Sequence, residues 1–351
     1  MFLLKSRSLS LVLLAAAAPS IAPAITANIS AYPLAPQPVG TSVTWTVSTD
    51  AAEGTALWYR FRVRDFGGEF RTVRDFGPGS DFTWAPTDKA GYYDVEATVR
   101  NLADESTATA VYPYLFRTRV FTGEPAVTPT EHPLVMMYSA PACPLGSRLR
   151  IEFQSAEGEP AQVTSDVACN DGLSMNIPVG GLRADTEYTF QQILTTGDSE
   201  ARGPQIKATS RGGLPEELLK PQQIAGAGRA LTPGFILQAP LFLRKALATD
   251  YQGRVVWYYP GQISYLTRAS GGFVYGIITT TGGPADQVVK EIDLIGITQR
   301  ETNAARVSEQ LRDQFKRPIS SFHHEALPLP DGKLLVIGTV ERKLTGVQGP
   351  G

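Results

Sequence analysis

Apolar and polar residues alternate with a period of two along much of the chain, which is typical of strands that bury one face. Residues 42–47, 57–64 and 93–100 show the alternation clearly and are rich in β-branched and aromatic side chains. Glycine-containing turns separate some of these runs. Short alternating strands at a spacing of about ten residues predict a β-sandwich over residues 28–118.

A second β-sandwich is predicted over residues 119–211, and both sandwiches resemble known module types. Residues 89–95 place a tyrosine near the start of a strand, which resembles the late strand of immunoglobulin-like modules. Residues 182–188 resemble the L-x-x-x-T-x-Y pattern of fibronectin type III modules, in which Leu182 and Tyr188 would point into the core. Packing accounts for these residues, and neither sandwich shows a pattern that indicates chemistry.

A repeated strand–turn–strand unit follows a linker at residues 212–233. Residues 248–257 and 290–298 are the two copies, and their turn Asp and turn Gly recur after 43 residues. A period of about 40–45 residues is typical of β-propeller blades. We therefore predict an all-β chain with two β-sandwich modules and, over residues 234–351, an incomplete β-propeller of about two to three blades.

The inner half of the predicted blade also repeats. Residues 263–276 make one copy and residues 319–336 the other, with an insertion between them. Residues 304–317 within this insertion are rich in helix formers and place apolar residues on one face, so a helix that packs on the propeller is expected. Because a propeller needs at least four blades to close, we expect the chain to be a fragment of a longer protein.

Residues 1–27 are predicted to be a secretory signal peptide. Lys5 and Arg7 form a positive n-region, residues 9–18 are apolar, and residues 22–24 offer a small-x-small cleavage site. The alternative is a membrane anchor, but the apolar run is too short to cross about 30 Å of hydrocarbon. Export to the periplasm or the exterior is expected, with no membrane span after the signal is removed.

Export bears on the two cysteines, Cys143 and Cys169, because the destination is expected to be oxidising. A disulfide between them is predicted, and the alternative is two buried free thiols in adjacent strands. A two-cysteine metal site is not expected. The formal net charge is −2, with no basic patch or stripe, which argues against a nucleic-acid partner.

Histidine is rare, and two of the three histidines, His323 and His324, are adjacent. The inner strand of a propeller blade lines the central channel, so this pair would lie near the channel mouth. Arg268 occupies the equivalent place in the preceding blade, and Glu325 follows the pair. Imidazoles with a guanidinium suit an anionic ligand, and Glu325 could orient an imidazole.

Simpler roles for the histidine pair stay open. Adjacent residues of a regular strand point to opposite faces, so at most one imidazole would face the channel. One histidine could be buried in the blade while the other lies on the surface. Metal binding is not predicted, because two neighbouring histidines and one glutamate lack the spacing of a defined site.

Residues 249–257 and 323–335 resemble the bacterial arylsulfate sulfotransferase family, which carries T-D-x-x-G-x-V-V-W turns and an H-H-D/E-x-x-x-L-P-N/D-G-x-L-L segment. The resemblance implies an exported enzyme that moves a sulfuryl group from an aryl sulfate to a phenol through a sulfohistidine, without a nucleotide donor or other cofactor. The family's nucleophilic His and an active-site Arg lie in later blades, beyond this sequence. His323 or His324 would then assist, and the present chain alone would be inactive. The assignment of Arg268 comes from the blade repeat, not from the family pattern.

Two other functions remain open at this stage. An exported binding or adhesion protein would present its sandwiches and propeller as surfaces and catalyse nothing. A quinone-dependent dehydrogenase-like propeller would need carboxylate ligands for calcium and stacking tryptophans, and neither cluster is evident. Further blades with another His and an Arg downstream would favour the enzyme, whereas further sandwich modules would favour adhesion.

Overall fold

The computed structural model describes residues 25–170, 172–216, 218, 234–240, 245–270, 273–278, 282–315 and 317–340. The predicted signal peptide, apart from its last three residues, and most of the predicted linker lie outside the described residues. Within the described residues the chain is all-β, apart from one α-helix and one short 3₁₀ helix. None of the described helices has the length and apolar character needed to span a bilayer.

The first eight strands form a β-sandwich. They are β1 (Asn28–Tyr32), β2 (Gln37–Pro38), β3 (Val43–Ser48), β4 (Leu57–Asp65), β5 (Arg71–Gly77), β6 (Asp81–Trp84), β7 (Gly91–Asn101) and β8 (Thr107–Arg117). One sheet has the order β1-β3-β6, and the other runs β2-β8-β7-β4-β5. Trp45 and Trp84 of the first sheet are fully buried, with ring centroids 5.2 Å from Tyr114 and 5.7 Å from Tyr93 of the second. These edge-to-face aromatic contacts join the two sheets.

The next eight strands form a second sandwich with the same connectivity. They are β9 (Ala126–Pro129), β10 (Met136–Pro141), β11 (Arg148–Ser155), β12 (Gln162–Val163), β13 (Val167–Ala168), β14 (Ser174–Val179), β15 (Glu187–Thr196) and β16 (Ser199–Thr209). Their sheets run β14-β10-β9 and β12-β11-β15-β16, with β13 also on β11. The sequence assigned the two sandwiches to different module types, but the main strands are paired in the same order in both.

Two features of the second sandwich had been singled out in the sequence. Leu182 and Tyr188 are both buried, and the Tyr188 hydroxyl accepts a hydrogen bond from the Arg183 amide at 3.0 Å. Cys143 and Cys169 form a disulfide that joins the β10–β11 loop to the segment after β13. The bond closes a loop at one end of the sandwich.

The remaining described strands belong to the C-terminal region. They are β17 (Ile236–Gln238), β18 (Leu247–Thr249), β19 (Val255–Tyr258), β20 (Tyr265–Ser270), β21 (Phe273–Ile278), β22 (Val288–Asp293), β23 (Thr298–Asn303), β24 (Ile319–Pro328) and β25 (Leu334–Val340), with the 3₁₀ helix η1 (Pro284–Asp286) and the helix α1 (Ala304–Phe315). Strands β17–β19 form a three-stranded sheet, β20–β23 an antiparallel four-stranded unit in chain order, and β24–β25 a hairpin. No closed ring of sheets is present among the described residues, so the predicted propeller is not shown.

The outer turns of the repeat have the same local structure. Gly253 and Gly296 both have positive φ, +81° and +101°, which glycine adopts without strain. In both turns the Oδ1 atom of the first residue, Asp250 or Asp293, accepts the amide four residues later at 2.9 Å. The 43-residue spacing therefore repeats a turn structure as well as a sequence.

The two inner hairpins, β20–β21 and β24–β25, also share a close contact. A Cβ atom on Gly276 would lie 2.5 Å from Ile263 Cδ1, and one on Gly338 would lie 3.0 Å from Ile319 Cγ2. Ile263 and Ile319 are the first residues of the two inner repeats. An isoleucine packed on a cross-strand glycine therefore recurs in both hairpins.

The first sandwich and the C-terminal strands share one sheet. Strand β23 pairs in parallel with β5 at Glu301 and Arg74, so the sheet runs β2-β8-β7-β4-β5-β23-β22-β21-β20. The carboxylate of Glu301 also receives two cations, Arg74 at 3.3 Å and Lys290 at 3.2 Å. This short parallel pairing holds β20–β23 against the first sandwich.

A second junction depends on His132, which lies before β10 and is almost completely buried. Its Nε2–H donates to the Tyr258 carbonyl at 2.7 Å, and its Nδ1 accepts from the Leu134 amide at 3.1 Å. The ring lies parallel to that of Trp257, with centroids 6.1 Å apart. Burial lowers the pKa of His132 to about 4, so the neutral ring joins the second sandwich to β19.

Candidate functional site

His323 and His324 lie on a bulge in the middle of β24. Phe322 pairs with Gly338 of β25 and Ala326 pairs with Val336, so the three residues 323–325 oppose only one residue of β25. A bulge inserts residues that have no partner and re-aims their side chains. The side chains of His323, His324 and Glu325 are all exposed, whereas Phe322 and Ala326 on either side are buried.

The bulge places both imidazoles against one aromatic ring, that of Tyr265 in β20. The two imidazole centroids are 4.2 Å apart with planes at 61°. The ring centroid of Tyr265 lies 6.3 Å from that of His323, with the ring planes at 21°. It lies 6.1 Å from that of His324, with the planes at 66°. The prediction that adjacent imidazoles point to opposite faces of the strand is wrong here, because the bulge brings His323 and His324 to the same side.

Strand β20 has a smaller bulge at the equivalent position. The residue before the bulge is Leu266 in β20 and Phe322 in β24, and each pairs with a glycine of the next strand. Arg268 lies just after the β20 bulge, where its backbone pairs with Tyr275. The side chain of Arg268 is outside the described part of the structure, so its predicted approach to the imidazoles stays a prediction.

The hairpin that carries the histidines is fixed to the four-stranded unit. Arg300 of β23 donates to the Gly332 carbonyl in the β24–β25 turn at 3.1 Å and forms an ion pair with Glu291. Phe322 and Ala326 pack into an apolar cluster with Ile277 of β21. The buried residues on each side of the bulge therefore hold the exposed histidines in place.

Both imidazoles are available to a ligand. Among the described residues, no hydrogen bond to a ring nitrogen of His323 or His324 is present. A neutral imidazole can donate through one nitrogen and accept, or attack, through the other. Two such rings beside an aromatic face suit a flat ligand that carries an oxyanion, with Glu325 as a neighbouring base or orienting group.

Tyr265 was not among the predicted site residues. Aligning the two inner repeats at Ile263 and Ile319 matches Tyr265 with Ser321, so an aromatic residue at an inner-strand position was the available signal. Its proximity to the histidines depends on how β20 and β24 pack, which the local pattern does not contain. Within the described residues, no cluster of three His, Cys, Asp or Glu side chains could hold a metal ion.

A cavity of about 360 Å³ lies elsewhere, between the second sandwich and the β18–β19 turn. Its walls include Arg183 and Arg254, whose guanidinium groups lie 3.0 and 2.7 Å from the Glu159 carboxylate. Both cations are therefore paired within the wall. Neither His323 nor His324 lines this cavity, and it is not part of the histidine site.

The structural comparisons involve fibronectin type III fragments. The FN1–FN3 domains of chicken CNTN1 are 15% identical, with a TM-score of 0.21; 50% of this chain and 62% of that chain are covered. A two-domain fibronectin type III segment from chicken tenascin is 15% identical, with a TM-score of 0.22; 52% of this chain and 97% of that chain are covered. With TM-scores this low, the likenesses carry no argument about the fold or the function.

The sequence comparisons give one family. No curated protein matches the chain at a significant level. Residues 227–349, which include β20, the bulge of β24 and both histidines, match the model of the arylsulfotransferase (ASST) family. This C-terminal region is therefore related to the arylsulfotransferases.

Proposed function

We propose that the chain is the N-terminal portion of an exported arylsulfate sulfotransferase, which transfers a sulfuryl group from a phenolic sulfate ester to a phenol. The observation that carries the proposal is the exposed imidazole pair, with centroids 4.2 Å apart, inside the segment that matches the arylsulfotransferase model. Tyr265 adds an aromatic face to which a substrate ring can pack. Aryl sulfate and phenol are the proposed substrates.

The proposed reaction has two displacements at sulfur. A histidine nitrogen attacks the sulfur of the donor, the S–O(aryl) bond breaks, and the phenolate leaves with both electrons of that bond. The acceptor oxygen then attacks the same sulfur, the S–N bond breaks, and the acceptor proton passes to a neighbouring base. Following the resemblance to the family, we propose that the attacking histidine lies downstream of this sequence.

In this mechanism His323 and His324 assist. A neutral imidazole N–H can donate to a sulfuryl oxygen or to the leaving phenolate, where negative charge develops. Donors that are already in position need no reorganisation at the moment of reaction. The apolar residues on either side of the bulge supply this rigidity, because Phe322 and Ala326 are buried.

The proposal also includes a propeller and export. The repeated outer turns and the repeated Ile–Gly contact of the inner hairpins support a blade repeat that continues around an axis. The n-region and apolar run of residues 1–27 support export. The disulfide between Cys143 and Cys169 suits the oxidising compartment that export would provide.

The test is sulfuryl transfer from p-nitrophenyl sulfate to phenol by the full gene product. His323→Ala and His324→Ala are made separately, and at least one is expected to lower kcat by about 100-fold, as loss of a positioned donor does. Tyr265→Leu is expected to raise the KM for the aryl donor more than it changes kcat, because the Tyr265 ring would contact the substrate equally in the ground state and in the transition state.

Lys333→Ala is the matched control. Lys333 is exposed in the turn of the same hairpin, and its one ion pair within the described residues is to Asp331, two residues away. This variant should keep the wild-type rate. Equal rates for wild type and both histidine variants would refute the assigned site, and absence of transfer by the wild-type protein would favour a binding or adhesion role.

A further inference from the structure

The helix α1 contacts both the first sandwich and the strand that carries the histidines. Asn303, the residue before the helix, accepts the Arg306 amide through Oδ1 at 2.9 Å. Its Nδ2 donates to the Phe76 carbonyl of β5 at 2.8 Å. One side chain therefore caps the helix and attaches it to the first sandwich.

Charged groups extend this attachment. Arg100 of β7 forms a two-pronged contact with Glu309, at 2.7 Å from Nη1 to Oε1 and 3.0 Å from Nη2 to Oε2. Arg306 pairs with Asp75 of β5 at 3.2 Å. The Arg100 side chain is only 10% exposed, which strengthens its charge-assisted hydrogen bonds. Burial would raise the pKa of Glu309, but its hydrogen bonds from Arg100 and Arg306 hold that pKa below its ordinary value.

Aromatic rings on the outer face of the first sandwich also contribute to the attachment of α1. The Arg100 guanidinium lies 4.7 Å from the Phe76 ring centroid and 5.3 Å from that of Trp58. Arg306 of α1 lies over the same Phe76 ring at 5.5 Å. A cation from each partner therefore packs on Phe76, which favours this one placement of the helix.

The helix α1 is also attached to the start of β24. The Ser308 hydroxyl donates to the Ile319 carbonyl at 2.9 Å and accepts the Ile319 amide at 2.6 Å. Val307 and Ile319 also pack into the apolar cluster that contains Phe322. Ile319 lies four residues before His323 on the same strand.

We propose that the first sandwich positions the histidine strand through α1, so that residues 28–118 are a structural part of the histidine site and not an independent module. On the sandwich side, Arg100 contacts Glu309 and the Phe76 carbonyl accepts from Asn303. On the other side, Ser308 bonds to the first residue of β24. Loss of a contact at either end should loosen β24.

The test measures amide hydrogen exchange of residues 319–328 by mass spectrometry on the full chain. Arg100→Ala removes a charged contact that touches α1 but not β24. It should speed exchange in 319–328 by about tenfold, because the charge-assisted hydrogen bonds from Arg100 to Glu309 would no longer hold α1 against the first sandwich. Ser308→Ala should give a similar increase in the same segment.

Each variant has a matched control. Arg62→Ala removes an equivalent ion pair, to Glu96, within the same sheet of the first sandwich, but does not touch the helix. Arg312→Ala removes an exposed charge from α1 itself. Both controls should leave exchange in 319–328 within about twofold of wild type.

Unchanged exchange in 319–328 for either Arg100→Ala or Ser308→Ala would overturn the proposal. Equal acceleration by Arg62→Ala would also overturn it, because general loosening of the sandwich would then explain the effect. Glu309→Gln keeps the side-chain shape and serves as the milder variant if Arg100→Ala does not fold. The readout does not use sulfuryl transfer, so its outcome is independent of the proposed activity.

Discussion

Two buried ionisable residues lie at the junctions between the sandwiches and the C-terminal sheets, and their pKa shifts act in opposite directions. Burial lowers the pKa of His132 from 6.5 to about 4. Burial raises the pKa of Asp293 from 3.8 to about 6, against hydrogen bonds from the Ile297 amide and Gln299 that lower it. Neutral His132 contributes stability that is lost as the pH falls from 6.5 towards 4. Asp293 contributes stability that is present below 3.8 and lost as the pH rises through 6.

The His132 contribution can be isolated with His132→Gln, which cannot titrate in this range. The free energy of unfolding of wild type, minus that of the variant, should fall by about 2 kcal/mol between pH 7 and pH 4.5. Because Asp293 is present in both proteins, its opposing contribution cancels in the difference. Urea unfolding at pH 7, 5.5 and 4.5 measures this difference. A difference that stays constant with pH would show that His132 is not held neutral.

At the scale of elements, the 43-residue repeat of turns could be predicted from the sequence, whereas the bulge of β24 could not. Turn residues at fixed spacing predicted the β18–β19 and β22–β23 turns, because an Asp cap and a positive-φ glycine are local requirements. The bulge at 323–325 depends on how β25 aligns with β24, and that register is set by packing across the hairpin. The position of Tyr265 beside the histidines depends likewise on contacts between β20 and β24, and Tyr265 lies 58 residues before His323 in the chain.

The turn glycines give a paired prediction at this scale. Gly332 has φ +80° and open space around its missing Cβ, so Gly332→Ala should cost only the backbone strain of about 1–2 kcal/mol. Gly296 has φ +101°, and a Cβ there would also lie 3.1 Å from Pro260 Cδ. Gly296→Ala should therefore be the more destabilising change in thermal unfolding. The reverse order would mean that contact with Pro260 contributes nothing.

At the scale of the whole molecule, the all-β class followed from alternation, but the shared nine-stranded sheet did not. Alternation specifies strands and their buried faces, which are properties of neighbouring residues. The pairing of Glu301 with Arg74 joins positions more than 200 residues apart, and only the assembled chain determines it. The sheet is thus continuous from the first sandwich into the C-terminal region through β5 and β23.

The disulfide provides a prediction for the stability of the second sandwich. Cys143 and Cys169 are 26 residues apart. Closing a loop of that size lowers the entropy of the unfolded chain and so raises the free energy of unfolding by about 3–4 kcal/mol. The double variant Cys143→Ser with Cys169→Ser should unfold like the reduced wild-type protein. Adding reductant should lower the melting temperature of wild type and leave that of the double variant unchanged. A further fall in the variant would contradict this assignment.

The side chain of Asn303 limits which substitutions this position can accept. Aspartate and serine cap helices about as well as asparagine, and either would serve an isolated α1. Asparagine makes the two contacts with two separate atoms, Nδ2 to the Phe76 carbonyl and Oδ1 from the Arg306 amide. Ionised aspartate has no donor for the carbonyl, and serine has a single, shorter hydroxyl group for both contacts. Spontaneous deamidation of Asn303 would leave the helix capped but remove its hydrogen bond to the Phe76 carbonyl. Chemical ageing at this one amide would therefore weaken the attachment of α1 to the first sandwich, while the ion pairs of Glu309 and Arg306 still hold it.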